Sequence, residues 1–316
     1  MRPALALALA AALAGCSVSE PPASSPPAQP ELMKWPALLG RPRPEPDATI
    51  EYGADQMQKV DLWLPAGPGP HPTVLMVHGG CWQTEIADRR IMNWIADDLR
   101  KRGIAVWNID YRGVDRTGGG YPGTFADTAA AADALGRHAA SHKLDIEPLV
   151  AVGHSAGGHL ALWLAARRAV NRRPGPLIPH GSPVLATDPL SIDTVVSLGG
   201  LPDLELAATP PGSGCGTEVI EKLVGPPTLS SRNVYADTSV PRLAPLGVRQ
   251  VLINGLQDRI IPTAYAEDYA KTMRTAGDKV KVRMIDRTGH VELIAPETAA
   301  WAAAVEEIEA ALGRKK

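Results

Sequence analysis

Residues 149–160 read LVAVGHSAGGHL, an apolar run that breaks at Ser155 among Gly153, Gly157 and Gly158. The segment Gly153-His154-Ser155-Ala156-Gly157 fits G-x-S-x-G, a sharp strand-to-helix turn that lifts a serine hydroxyl clear of a sheet. Such a turn strains the backbone and packs strand and helix too closely for side chains, which is why glycines flank it. So short a pattern arises by chance in a chain with 30 glycines. The rest of the sequence has to supply its partners.

Outward from this turn, apolar β-branched runs alternate with longer helical patterns, as in a mostly parallel sheet covered on both faces. ATIEYG (48–53) and KVDLWLP (59–65) read as an opening antiparallel pair, and TVLMVHGG (73–80) as a buried strand followed by a helix near 86–102. IAVWNIDYR (104–112) is the next strand, and 124–142 a helix carrying Asp127 and Asp133. PLVAVGHS leads into the helix AGGHLALWLAARRA, then IDTVVSLGG, RQVLINGLQD and KVKVRMIDRTGH follow as strands before a last helix over about 296–312. Between the strands ending near 200 and beginning near 249, residues 201–246 are too long for a plain connection. They hold Cys215 and a short helical piece, TEVIEKLVG, and are expected to cover a site as a cap.

A serine hydroxyl becomes a nucleophile when a base takes its proton and a carboxylate orients that base. The chain has 8 histidines. His290, in RTGHVELI, and Asp258, in LINGLQDRIIP, each follow a strand on the edge where loops gather in a parallel sheet. Ser155, Asp258, His290 is also the chain order that accompanies this turn. Asp203 is the rival acid. His154 and His159 flank the turn and are expected to be structural. Donors for a developing oxyanion are expected from the backbone N–H of Ala156 and from Gly80 and Cys81, in VHGGCWQ. Trp82 either walls the pocket beside the reacting carbonyl or lies in the core under the first helix. The glycine-rich run 113–123 is expected to form a mobile rim; no Gly-Lys-Ser/Thr follows it, so it is not a phosphate loop.

With these residues in place, the chain over 48–316 resembles the α/β-hydrolase superfamily. HGGCW (78–82), GHSAGGH (153–159), DYRG (110–113) and GLQDRIIP (255–262) are most similar to the branch of kynurenine formamidase-like enzymes and small bacterial carboxylesterases. The resemblance implies an eight-stranded, mostly parallel sheet and ester hydrolysis through an acyl-enzyme, with no metal or organic cofactor. Amide hydrolysis and a non-catalytic binding protein on the same scaffold are the competing readings. One Phe and 4% aromatics suggest too little broad apolar lining for a long acyl tail. Short acyl groups, acetyl to butyryl, are therefore expected.

Residues 1–15 have the shape of a secretory signal, and Leu13-Ala14-Gly15-Cys16 resembles a lipobox. That resemblance implies cleavage before Cys16, acylation of Cys16, and attachment to a bacterial envelope membrane. Ser17 stands where an inner-membrane retention signal would place Asp, which favours the outer membrane. Residues 16–47, rich in Pro, Ser and Ala, read as an extended tether. Cys81 and Cys215 remain in a compartment that permits disulfides, but one distant pair is not a framework, and the expectation is that they stay apart. No C-x-x-C or His pair at ligand spacing accompanies them, so no metal site is expected. With Lys+Arg 32, Asp+Glu 34 and net charge −2, the chain lacks the basic excess of a nucleic-acid partner.

Overall fold

The computed structural model describes residues 31–172, 178–228 and 232–314. Cys16, the signal segment and residues 16–30 of the tether lie outside them. The compact body begins at Leu32, ahead of the boundary at 48 expected from the sequence. Residues 32–47 carry a short helix, α1 (Trp35–Leu39), whose Leu38 is fully buried. This part of the expected tether is instead packed on the domain.

The strands β1 (Ala48–Glu51), β2 (Lys59–Trp63), β3 (His71–Val77), β4 (Ala105–Ile109), β5 (Leu144–His154), β6 (Thr194–Leu198), β7 (Arg249–Gly255) and β8 (Lys279–Ile285) form one sheet. Its order is β1-β2-β4-β3-β5-β6-β7-β8. β1 pairs antiparallel with β2 and β2 with β4; every other pair is parallel. The expected α/β-hydrolase fold, eight-stranded and mostly parallel, is borne out.

Period-two alternation explains why the central strands read as continuous apolar runs. On β3, Val74 and Met76 enter one hydrophobic cluster while Leu75 and Val77 enter the other. The first cluster is closed by α2 (Asn93–Lys101), α8 (Ala299–Ala311) and Leu38 of α1. The second is closed by α3 (Gly123–His138), α4 (Ala156–Arg172) and α7 (Ala264–Thr275). The helix α7 has no counterpart in the sequence reading, although two adjacent parallel strands demand a crossover. In the 201–246 segment lie α5 (Leu204–Ala207) and α6 (Thr217–Val224), the latter matching the expected helical piece.

Cys81 and Cys215 form a disulfide, with Cα atoms 5.4 Å apart across a sequence separation of 134. This corrects the expectation of two separate thiols. Sequence separation says nothing about distance once β3 and the 201–246 segment converge on the same sheet edge.

Candidate active site

Four loops at the carboxyl ends of β3, β5, β7 and β8 meet around one cavity of about 420 Å³. Ser155 follows β5 directly, with φ 54°, in the left-handed region that non-glycine residues avoid. Its backbone N–H donates to Leu198 O at 2.9 Å, pinning the turn to β6. The flanking glycines are required by contact. A Cβ on Gly153 would sit 2.0 Å from Gly157 O, and one on Gly157 would sit 2.2 Å from Val77 O. The turn thus brings three backbone segments to a closeness that any side chain would forbid.

His290 and Asp258 are joined by a hydrogen bond, Nδ1 to Oδ2, of 2.6 Å. Oδ1 of Asp258 accepts from the N–H groups of Ile260 at 2.8 Å and Ile261 at 2.9 Å, so the carboxylate is fixed from both ends. Ser155 and His290 both line the cavity, and both are nearly buried. No Ser155–His290 hydrogen bond is present among the described residues; such contacts commonly tighten only when substrate binds.

The rival acid is otherwise engaged. Asp203 caps α5, accepting from Leu206 N at 3.1 Å and from Ser239 Oγ at 3.1 Å. His154 and His159 are structural in geometry. His154 Nε2 donates to the carbonyl of His290 at 3.2 Å, and its ring centre lies 4.5 Å from that of His290. Burial, and then the neighbouring His290, hold the His154 pKa well below the ordinary histidine value. His159 donates to Thr238 O at 2.8 Å, and burial lowers its pKa to about 4.

Gly80 and Cys81 face the same cavity, while Ala156 opens α4 immediately after the serine. The N–H groups of Gly80, Cys81 and Ala156 have no partner among the described residues. His78 holds this loop from beneath. Its Nε2 meets Asp110 Oδ1 at 2.9 Å, its ring stacks on Tyr111 at 4.3 Å, and Arg89 reaches Asp110 Oδ2 at 2.9 Å. DYRG therefore braces the loop, a role the motif's position after β4 did not disclose.

Three expected pocket features are corrected. Trp82 is fully buried in the core, edge-on to His159 with ring centres 5.5 Å apart, and does not line the cavity. The glycine-rich run is not a rim either. It supports the loop after β3 from behind: Val114 N–H donates to Trp82 O at 2.7 Å, and Asp115 accepts from Thr84 N and Glu85 N, each at 2.8 Å. Nor do the described residues of the 201–246 segment, expected to cover the site, line the cavity.

The wall comes instead from two unforeseen stretches, α1 and residues 84–91. Trp35, Leu39, Ile86, Ile91 and Ile260 give the cavity an apolar side. The Trp35 ring lies edge-on to His290 at 6.4 Å and to His154 at 6.3 Å. The signal was available: Trp-Pro followed by Ala-Leu-Leu is an apolar, helix-starting patch inside an otherwise Pro-rich stretch. No cluster of three or more His, Cys, Asp or Glu placed to hold a metal occurs among the described residues.

Comparison with known proteins places these features in context. The BD-FAE family model matches residues 60–273, more than half of the chain. A probable isoprenylcysteine alpha-carbonyl methylesterase of Arabidopsis thaliana is 25% identical over 255 residues, covering 78% of this chain and 51% of the relative. The chain spans about half the length of the curated relatives it matches. Thermogutta terrifontis esterase 2, solved phosphonylated by sarin, superposes with a TM-score of 0.67 at 18% identity, covering 89% of this chain and 99% of that one. Esterase B of Lactobacillus rhamnosis gives 0.68 at 17% identity, covering 88% and 90%. At such identities these structures speak for the fold.

Proposed function

We propose that this chain, which belongs to the BD-FAE family, is a serine hydrolase that cleaves carboxylic esters through an acyl-enzyme. The observation that carries the reading is the 2.6 Å Asp258–His290 pair sharing a cavity with the strained Ser155. Esterase relatives and esterase-fold neighbours support it.

Asp258 accepts the Nδ1 proton of His290, leaving Nε2 as the base. Ser155 Oγ attacks the ester carbonyl as Nε2 takes its proton. The resulting oxyanion is met by the N–H groups of Ala156, Cys81 and Gly80. The C–O bond then breaks, the alcohol leaves with the proton held by His290, and Ser155 is acylated. Water, deprotonated by the same nitrogen, attacks the acyl group and releases the acid. The chain's resemblance to formamidase-like enzymes keeps amide hydrolysis as a second outcome of the same machinery.

A cavity of about 420 Å³ suits a small ester, since pockets for small molecules run from roughly 300 to 1,000 Å³. Acyl groups from acetyl to butyryl are the proposed substrates. In an organophosphonate experiment, one residue should be modified, within the peptide containing Ser155, and Ser155→Ala should abolish ester hydrolysis. Labelling elsewhere refutes the mechanism. A kcat/KM that climbs steadily from acetate to octanoate refutes the short-acyl preference.

Acylation of Cys16 and attachment to a bacterial envelope membrane remain part of the proposal, supported by the leader sequence alone. Metabolic labelling with a clickable fatty acid should tag the wild type and spare Cys16→Ser; an untagged wild type overturns it.

A further inference from the structure

We infer that Cys215 is a positioning residue for ester hydrolysis: its disulfide to Cys81 holds the oxyanion-binding N–H of Cys81 in place. The inference rests on the proposed acyl-transfer function and deepens it.

The backbone around Cys81 is unusual. Gly80, Cys81 and Trp82 have φ values of 105°, 51° and 53°, three successive residues on the left-handed side. Side chains disfavour this region, so two non-glycine residues stay there only where the surroundings over-determine them. From residue 82 onward the braces are plain: Val114 and Asp115 bind Trp82 O, Thr84 N and Glu85 N. Those contacts take hold one residue past the donor, and the donor's own peptide group is closed only by a turn within the loop, Gln83 N–H to Gly80 O at 2.9 Å. The bond that ties residue 81 to a segment outside this loop is the sulfur bridge to Cys215.

The far end of that bridge is anchored in the site as well. Gly214 N–H donates to Ile260 O at 2.7 Å, and the two backbones touch so closely that a Cβ on Gly214 would lie 2.9 Å from Ile260 Cα. Ile260 in turn donates its N–H to Asp258 Oδ1 at 2.8 Å. Residues 213–216 therefore strap the oxyanion loop after β3 to the loop that carries the acid after β7. One covalent link and two hydrogen bonds join the two halves of the machinery. An oxyanion donor acts only when it lies about 2.7–3.1 Å from the oxygen, so loosening this strap should affect chemistry more than binding.

The test compares oxidised wild type, Cys215→Ser, and wild type reduced by a dithiol. The dithiol gives two electrons and two protons to the bridge, freeing two thiols, and itself closes to a disulfide. Activity is expressed per serine titrated with an organophosphonate, which removes any loss through unfolding. We expect kcat per site to fall about tenfold or more in both loosened forms, since losing an oxyanion donor costs about 10²–10³. KM should change less than about twofold, and reoxidation should restore the reduced enzyme but not Cys215→Ser. A kcat per site equal to that of oxidised wild type, in the variant or in reduced protein kept well below its melting temperature, overturns the inference. So does a change confined to KM. If oxidised wild type neither hydrolyses esters nor titrates, the functional reading itself has failed, which is a separate result.

Discussion

Asp258 and Asp203 are both carboxylates placed after sheet strands, and only one of them touches the histidine. Asp258 binds His290 Nδ1 and two backbone N–H groups, whereas Asp203 has its oxygen committed to a helix cap and to Ser239. Asp258→Asn keeps the shape but presents an amide where the imidazole needs an acceptor, favouring the wrong tautomer. Its kcat should drop by about 10³–10⁴-fold with KM little changed. Asp203→Asn should retain nearly full kcat and lose at most about 1 kcal/mol of stability through a weakened cap. Steady-state kinetics of the two variants, beside thermal melts, decide the matter; the reverse pattern would reassign the acid. The sequence ranked Asp258 first because chain order is tied to topology, and the contact with His290 agrees with that ranking; the commitment of Asp203 to a cap is a local fact that order cannot express.

At the scale of elements, α1 is the part the sequence misjudged. Its five residues are too few to hold a helix alone. They are held by tertiary contacts: Leu38 in the core, Met33 N–H on Glu292, Trp94 Nε1–H on Pro42 O at 3.1 Å, and Arg41 on Glu297. Burial of Leu38 carries most of this, since the exposed Arg41–Glu297 pair is worth little. The consequence for the site is Trp35, half-buried at the cavity wall beside His290. Trp35→Ala should raise KM for an aryl ester by about tenfold, the equivalent of one aromatic contact of roughly 1–1.5 kcal/mol, with kcat within about threefold. An unchanged KM would make α1 scaffold only. A kcat collapse would instead mean that the indole positions His290. Leu38→Ala should cost about 2–5 kcal/mol in denaturant unfolding if α1 is packed as described.

Over the whole molecule, acid sensitivity follows from the histidines that the fold keeps neutral. His159 sits fully buried among Trp82, Phe125 and the Thr238 carbonyl, with its pKa lowered to about 4 from 6.5. Below pH 6.5 the unfolded chain takes up a proton there that the folded chain refuses until about pH 4. Stability from this residue is therefore fully present above pH 6.5 and is lost as pH falls through that window. The slope approaches about 1.4 kcal/mol per pH unit for one proton. His154, lowered in the same direction by burial, adds to it. His159→Gln should be less stable than wild type at pH 7 yet show a shallower decline between pH 6.5 and 4.5, read from urea midpoints and m-values. Parallel declines in both proteins would mean that His159 does not set the acid limb.

Period-two apolar runs, the glycines around Ser155 and the order Ser155, Asp258, His290 were enough to specify the layered sheet and to single out the three residues proposed to carry the reaction. Each of these is a local or sequential property: strand patterning, steric demand at one turn, and the order in which parallel strands deliver their loops. What lined the cavity was decided only in three dimensions. Trp82, in a loop with positive φ at residues 81 and 82, packs edge-on to His159 rather than along the cavity. The cap gave the cavity wall to α1 and residues 84–91, and the two cysteines met across a separation of 134 residues. Side-chain direction at a strained loop, and contact between segments remote in the chain, depend on where the sheet brings them. No window of sequence carries that distance.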